Sequence, residues 1–192
     1  MKILMIGDIV GNPGRRILKE RLSRVRQELG VSAVIVNAEN AAAGSGITVA
    51  LAQEITAVGV DAITMGDHTW GQKEFAPTIG QLQNLVRPAN FPPEAPGKGW
   101  QLITTPICRF AVLNLLGRVF MQPADCPFHA ADAALREIPK ESDGSACLPL
   151  RAWGLLPPSP VGPLLTATKA TPASWQQLGL LAPIQATASL PH

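Results

Sequence analysis

Residues 2–8 read KILMIGD, an apolar run that ends at Gly7 and Asp8. A short continuous run of this kind is typical of a strand buried on both faces of a parallel sheet. Its position at the amino terminus would also suit a signal peptide, but Asp8 interrupts the run before it reaches the length of a signal-peptide core. We therefore interpret residues 3–6 as the first strand of an α/β domain.

The same pattern occurs twice more along the chain. Apolar runs at residues 33–36 and 62–65 end in the polar segments NAEN and GDHTW, residues 37–40 and 66–70. Each of these runs predicts a strand. Three strands joined by crossover helices imply a parallel sheet, because such connections are almost always right-handed and bury the strands.

The segments between the predicted strands have helical periodicity. Apolar residues recur every three or four positions in residues 15–29, and Gly30 follows where a helix often ends in a left-handed residue. We predict a turn before this helix, at residues 11–14. A second helix is predicted to begin at Thr48, whose side chain suits a helix N-cap, and to end at Gly59.

The pattern becomes harder to interpret after residue 88, where a loop rich in proline and glycine begins. Two β-like runs, residues 100–104 and 110–116, are separated by a link short enough for a hairpin. Residues 132–138 predict a further helix. We therefore place a single α/β domain at residues 1–138, a length that can bury one core.

Residues 139–192 differ in composition from the preceding domain. This segment is rich in proline, alanine and leucine, and it has no aspartate or glutamate after Asp143. Proline removes a backbone donor and breaks helices and central strands. We predict that the segment is irregular or disordered, and that the sheet edge after Leu116 lacks its next partner strands.

Charge and cysteine content exclude several classes of protein. The 192 residues include 16 basic and 14 acidic side chains, a balance far from the concentrated basic surface of nucleic-acid-binding proteins. The three cysteines form no CxxC pair and do not suit a disulfide framework. No apolar run approaches the roughly 18 residues needed to cross a bilayer. We expect a cytoplasmic protein with free thiols, no membrane segment and no stable nucleic-acid binding.

Each of the three predicted strands ends in potential metal ligands. Asp8 follows the first strand, Glu39 and Asn40 the second, and Asp67 and His68 the third. The carboxyl ends of parallel strands meet at one edge of a sheet, so these side chains are expected to converge. Carboxylate oxygens mixed with imidazole suit manganese, iron or zinc. The sequence thus predicts a site for two divalent ions acting on a phosphoester, with His68 protonating the leaving group.

Two alternative interpretations remain open. Taken alone, either aspartate could cap a following helix, and the histidine could make an ordinary loop hydrogen bond. Gly7, Gly11 and Gly14, with Glu39 after the next strand, also faintly resemble a dinucleotide-binding fold. Their spacing does not match GxGxxG, and Asp8 would place a carboxylate beside the pyrophosphate.

At this point a family resemblance is evident. Five segments closely resemble, in this order, the YmdB-type bacterial metallophosphoesterases of the calcineurin-like superfamily: KILMIGDIVG (2–11), NAENAA (37–42), GDHTW (66–70), RPAN (87–90) and NLLGRVFM (114–121). The resemblance covers about residues 1–138. It implies a layered α/β fold, 2′,3′-cyclic-nucleotide phosphodiesterase activity on a small phosphodiester substrate, and a homo-oligomer.

The resemblance also implies a role for each candidate residue. Asp8 would bind one divalent ion, Glu39 would bridge two ions, and Asn40 and Asp67 would bind the second ion. His68 would be the catalytic proton donor. The family usually has asparagine at the position of Asp67, so this chain carries an additional negative charge there.

The segments that supply further histidine ligands in the family have no match in this sequence. The other histidines, His129 and His192, do not fit those motifs and receive no role. A gene truncated or read in a shifted frame after about residue 138 would explain this, and the fold would then be incomplete at its carboxyl terminus. We expect a metal-dependent phosphodiesterase whose activity is impaired or lost. The alternative is a non-catalytic remnant with weak metal or partner binding.

Overall fold

The computed structural model describes residues 2–106, 109–119 and 121–139, and the backbone of residues 145–147 and 150–151. The first sheet contains four parallel strands in the order β1-β2-β3-β4. They are Ile3–Ile6 (β1), Ala33–Asn37 (β2), Ala62–Thr64 (β3) and Leu85–Val86 (β4). The three predicted strands and their parallel arrangement are confirmed. The fourth strand was not predicted, because two residues are too short to show a periodicity.

Two helices connect the first three strands. Helix α1 spans Gly11–Leu29 and ends at Gly30, which is left-handed as predicted, with φ 59°. The predicted turn at residues 11–14 is wrong, because the helix already begins at Gly11. Proline is tolerated in the first helical turn, where its missing N–H has no partner within the helix.

Helix α2 spans Val49–Ala57 and begins as the sequence predicts. The side chain of Thr48 accepts a hydrogen bond from the backbone N–H of Leu51 at 3.3 Å. This contact satisfies one of the donors that a helix leaves free at its amino terminus. Gly59, with φ 101°, then turns the chain toward β3.

The first sheet lies between a helical layer and a second sheet. Alternate side chains of its strands point to opposite faces. One face packs against the helices, with Val34, Val36 and Ile63 in the same cluster as Leu18, Leu22 and Ile55. The other face packs against the second sheet, in a cluster of Ile3, Ala33, Ile35, Ala62, Val86, Ile103, Phe110 and Val112. The predicted layered α/β fold is therefore confirmed for the described residues.

The second sheet contains the predicted hairpin. Strand β5, Trp100–Thr104, is antiparallel to β6, Arg109–Leu113, whereas residues 107 and 108 of the link lie outside the described residues. The predicted run 110–116 is interrupted at Asn114, whose side-chain amide donates to the carbonyl oxygens of Met65 and Val86 at 2.6 and 3.2 Å. Strand β7 is therefore a separate short element, Leu115–Leu116.

Two short strands lie within the segment that was predicted to be irregular. Strand β8, Ser145–Cys147, pairs in parallel with β6, and β9, Leu150–Arg151, pairs in parallel with β7. The prediction that the sheet edge after Leu116 lacks partner strands is therefore wrong. The prediction for the remainder of residues 140–192 falls outside the part of the chain that the structure describes.

The third helix, α3, spans Pro127–Glu137 and so begins earlier than the predicted residue 132. Its N-cap residue, Cys126, makes no side-chain cap, and the start signal that the sequence does carry is Pro127 at the first helical position. Among the described side chains, Cys126 is a free cysteine. No helix in the described ranges is both long and apolar enough to cross a membrane.

The strand order argues against a dinucleotide-binding fold. In that fold the first strand lies inside the sheet, in the order 3-2-1-4. Here β1 occupies an edge of the first sheet among the described strands, in the order β1-β2-β3-β4. The glycines after β1 therefore begin a helix in a different topology.

Candidate metal centre

Asp8 follows β1 in a backbone conformation that is uncommon for a residue other than glycine. Its φ is 44°, in the left-handed region that aspartate tolerates better than most residues. The N-cap of α1 is Val10, without a side-chain cap, so Asp8 does not cap this helix. Asp67 likewise begins the 3₁₀ helix Asp67–Trp70 rather than capping it. Helix capping therefore does not explain either aspartate.

The side chain of Asn40 connects the ends of all three strands. Its Nδ2 donates to Oδ1 of Asp8 at 2.7 Å, and its Oδ1 lies 2.6 Å from Nδ1 of His68. A carboxylate accepts hydrogen bonds, so the amide group of Asn40 must face Asp8 and its oxygen must face the imidazole. In this arrangement Nδ1 of His68 carries a proton and donates to Asn40, which leaves Nε2 for other chemistry.

The backbone around Asn40 is also tightly held. Its carbonyl oxygen accepts hydrogen bonds from the N–H groups of Gly11 and Gly44, at 2.9 and 3.0 Å. Gly11 is the first residue of α1 and has a positive φ of 54°. The start of α1 is thus bonded to the loop that follows β2, and this contact orders the Asn40 side of the site.

Glu39 lies at the centre of the candidate site and is only 1% exposed. Its Oε2 accepts a hydrogen bond from the backbone N–H of His68 at 3.4 Å. Glu39, Asp67 and His68 each offer a ligand atom, and these three atoms all lie within 4.8 Å of one another. The Asp67 Oδ2 and His68 Nε2 atoms are 3.7 Å apart. The predicted convergence of the strand ends is therefore present.

These side chains fit a divalent ion by their chemistry. Carboxylate oxygens and an imidazole nitrogen are ligands for manganese, iron and zinc. Glu39 is buried, whereas the side chains of Asp67 and His68 are 30% and 45% exposed, so the site is open to solvent on one side. Asp8 and Asn40 are not part of the group of three and connect to it through the Asn40 amide.

The loop that follows β2 and the loop that follows β3 each carry part of the site. These two loops also contact each other at a second place, beyond the site residues. Gln72 donates from Nε2 to the carbonyl oxygen of Ser45 at 2.7 Å. A Cβ at Gly46 would lie 2.8 Å from the backbone nitrogen of Gln72, and one at Gly71 would lie 2.8 Å from the nitrogen of Gly46. We call Ser45, Gly46, Gly71 and Gln72 the loop clamp. These residues were not predicted from the sequence, because nothing in their spacing shows that the two loops meet.

A large concave surface in the described part of the chain lies away from the candidate site. This cavity of about 910 Å³ lies between β5 and α3, and none of the five candidate site residues lines it. Arg87 is buried in its wall, and burial lowers the pKa of this guanidinium below its ordinary value. The guanidinium donates to the backbone carbonyls of Pro88, Ala95 and Pro96. His129 also lines this cavity, and His192 lies outside the described residues.

Comparison with known families decides the classification. Residues 4–148 match the family described as YmdB-like protein. The chain belongs to the YmdB-like family. All five candidate residues fall inside the matched range.

Individual proteins are also similar to this chain. The 2′,3′-cyclic-nucleotide 2′-phosphodiesterase of Bacillus subtilis (strain 168) is 44% identical over 142 residues, which cover 74% of this chain and 54% of that protein. A crystal structure of a hypothetical protein from Thermus thermophilus has 33% identity and a TM-score of 0.69, and covers 78% of this chain and 57% of the other. A novel phosphatase from Mycoplasma pneumoniae has 28% identity and a TM-score of 0.69, with 78% and 54% covered. The chain thus spans about half the length of these similar proteins.

Proposed function

We propose that the chain binds divalent metal ions at the ends of β1, β2 and β3 and acts as a metal-dependent phosphodiesterase. The observation that carries this proposal is that carboxylate oxygens of Glu39 and Asp67 and a ring nitrogen of His68 lie within 4.8 Å of one another, although the residues come from two separate loops, so that the proposed proton donor lies beside two proposed ligands. In the proposed arrangement Asp8 holds one ion and Glu39 bridges two. Asn40 and Asp67 hold the second ion, which is iron, manganese or zinc.

The ions would supply charge that stabilises the attacking and leaving oxygens of a phosphoester. The protein would supply orientation and a proton. His68 donates from Nδ1 to Asn40, so the ring is held with Nε2 on the opposite side. We propose that a proton on Nε2 passes to the leaving oxygen while Nδ1 keeps its hydrogen bond to Asn40.

The proposed substrate is a small phosphodiester such as a 2′,3′-cyclic nucleotide. The name of the Bacillus subtilis relative supports this choice, at 44% identity over 142 residues. The proposed site is small and partly open, which suits a phosphodiester group that solvent can reach. Possession of two ions and assembly as a homo-oligomer are parts of the same proposal that rest on the sequence resemblance, whereas action in the cytoplasm rests on the apolar pattern and cysteine content of the sequence.

We expect hydrolysis to be slow, because the site has few protein ligands for two metal ions. The described site offers four candidate protein ligands for two ions, and water holds an ion less firmly than a fixed side chain. Small misplacements of reacting groups can cost on the order of a hundredfold in rate. The small number of protein ligands also suggests a second candidate function, which is metal binding without hydrolysis.

A metal titration and a hydrolysis assay separate these two functions. We expect Mn²⁺ to bind in calorimetry, and we expect slow hydrolysis of 2′,3′-cyclic AMP and bis-p-nitrophenyl phosphate that disappears in His68→Ala. Binding of Mn²⁺ without any His68-dependent hydrolysis would favour the second function. Failure to bind Mn²⁺, Fe²⁺ or Zn²⁺ would reject both. Hydrolysis as fast as that of the Bacillus subtilis relative would show that other groups complete the site.

A further inference from the structure

Gly66 is the last residue before Asp67 and lies directly against the carboxylate of Glu39. A Cβ atom at position 66 would lie 2.6 Å from Cδ and 2.7 Å from Oε1 of Glu39, and closer still to Oε2. Real Cβ contacts essentially never fall below 3.0 Å. The φ of Gly66 is −140°, outside the left-handed range, so lack of space rather than this angle requires glycine here.

Both residues of this contact are packed or hydrogen-bonded, and the overlapping atoms are the end of the Glu39 side chain, so the carboxylate is the group that would shift. Glu39 is 1% exposed, and its neighbours Ala38 and Ala41 are fully buried. The carbonyl oxygen of Gly66 accepts hydrogen bonds from the backbone N–H of Thr69 at 3.1 Å and from its Oγ1 at 2.5 Å. Close-packed interiors transmit such an overlap to their neighbours rather than absorb it.

We infer that Gly66 is a positioning residue for the proposed metal centre. The space left by its missing side chain is where the Glu39 carboxylate lies, within reach of the ligand atoms of Asp67 and His68. Any side chain at position 66 displaces the one carboxylate that is proposed to contact both ions. This inference rests on the proposed function, and its mechanism is steric.

The steric mechanism can be tested without metal by a double-mutant cycle. We expect Gly66→Ala to lower the melting temperature in EDTA. Adding Glu39→Ala should recover most of that loss, because it removes the overlapping atoms. Adding Glu39→Gln instead should not recover the melting temperature, because the amide has the same size as the carboxylate. If Gly66→Ala alone does not fold, recovery of a folded protein in Gly66→Ala/Glu39→Ala still supports the contact.

The metal arm of the test uses Mn²⁺ alone in calorimetry. We expect Gly66→Ala to weaken Mn²⁺ binding at least about tenfold, the usual effect of disturbing the supports of a metal ligand. The control is Gly80→Ala, since a Cβ at Gly80 would meet nothing within 4 Å, and this variant should bind Mn²⁺ like the parent.

The possible results separate the inference from the proposed function. If the parent protein does not bind Mn²⁺, Fe²⁺ or Zn²⁺, the proposed function fails, whereas the cycle in EDTA still decides whether Gly66 makes room for Glu39. The inference is overturned if a folded Gly66→Ala variant binds Mn²⁺ as tightly as the parent. It is also overturned if Glu39→Ala and Glu39→Gln change the stability of Gly66→Ala equally.

Discussion

Asn40 is the residue at which the ends of the three strands meet. Its amide has both a donor end and an acceptor end, and each is used, toward Asp8 at 2.7 Å and toward His68 at 2.6 Å. An aspartate at this position would place two carboxylates face to face and would repel Asp8. A leucine would leave both partners without this contact. The amide therefore fixes the orientation of the imidazole, and in the proposed site its oxygen would also contact an ion.

At the residue scale the proposed site predicts different effects for two changes that remove one negative charge. Glu39→Gln should abolish Mn²⁺ binding, because the buried carboxylate would contribute charge to both ions and an amide contributes none. Asp67→Asn should weaken binding by no more than about tenfold, an effect at the low end for groups around a metal site. Its side chain is 30% exposed, and asparagine still offers an oxygen. Calorimetric titration with Mn²⁺ measures both effects.

Thermal unfolding in EDTA provides the control for these variants, because both must be folded before their affinities are compared. Equal loss of Mn²⁺ binding in the two variants would contradict the roles assigned to Glu39 and Asp67. Undiminished binding in Glu39→Gln would remove Glu39 from the site altogether.

The sequence predicted the five candidate residues but not the contacts among them. Asp8, Asn40 and His68 could be placed together because each follows an apolar run, and parallel strands end at one edge. The position of Gly66 against Glu39 could not be predicted, because it depends on the path of the backbone after β3. For the same reason the sequence does not show which face of the Asn40 amide points to His68.

At the scale of elements, the loop clamp predicts an effect on the site from outside it. Gln72→Ala removes the hydrogen bond to the carbonyl of Ser45, which contributes about 1 kcal/mol to stability. Because the clamp joins the loops that carry the two halves of the site, we also expect Mn²⁺ affinity to fall by roughly tenfold. The matched control is Gln83→Ala, since Gln83 makes an exposed, local contact to Gly80 at 3.4 Å.

Calorimetry and thermal unfolding on the same samples distinguish the clamp from a general loss of stability. A lower melting temperature with unchanged Mn²⁺ affinity in Gln72→Ala would show that the clamp stabilises the loops without positioning the site. An equal loss of affinity in Gln83→Ala would show that the effect is not specific to the clamp.

Element boundaries were less predictable than element types, and the reasons differ from case to case. Helix α1 begins at Gly11 because its first turn accommodates Pro13, whereas glycine and proline together usually indicate a turn. Strand β4 forms because β3 offers it a parallel partner, with Ile63 opposite Leu85 and Thr64 opposite Val86. Such pairings depend on residues far away in the chain, and a local pattern does not contain them.

At the scale of the whole molecule, the hydrogen bonds that connect the three strand ends are long-range contacts. Asp8 and Asn40 are 32 positions apart, Asn40 and His68 are 28 apart, and Glu39 and His68 are 29 apart. None of these contacts can form within a single helix or hairpin. All of them require β1, β2 and β3 to be paired in register, with α1 and α2 packed on one face.

This arrangement predicts how metal changes the rates of folding. If the site is completed late, bound Mn²⁺ should slow unfolding and leave the refolding rate nearly unchanged, because late contacts mainly affect the unfolding rate. Stopped-flow unfolding and refolding in Mn²⁺ and in EDTA measure both rates. The variant Glu39→Gln is the control, and its unfolding and refolding rates should be the same in Mn²⁺ and in EDTA. Faster refolding in Mn²⁺ would mean that the ligands gather before the sheet is complete.

The spacing of the ligands also has a consequence during synthesis on the ribosome. Chains emerge from their amino terminus at about 5–20 residues per second. A nascent chain that has exposed Asp8, Glu39 and Asn40 still lacks Asp67 and His68, so it has only part of the ligand set. The last strand of the first sheet, β4, ends at residue 86. Ribosome-bound chains should therefore bind cellular metal weakly until this strand has emerged.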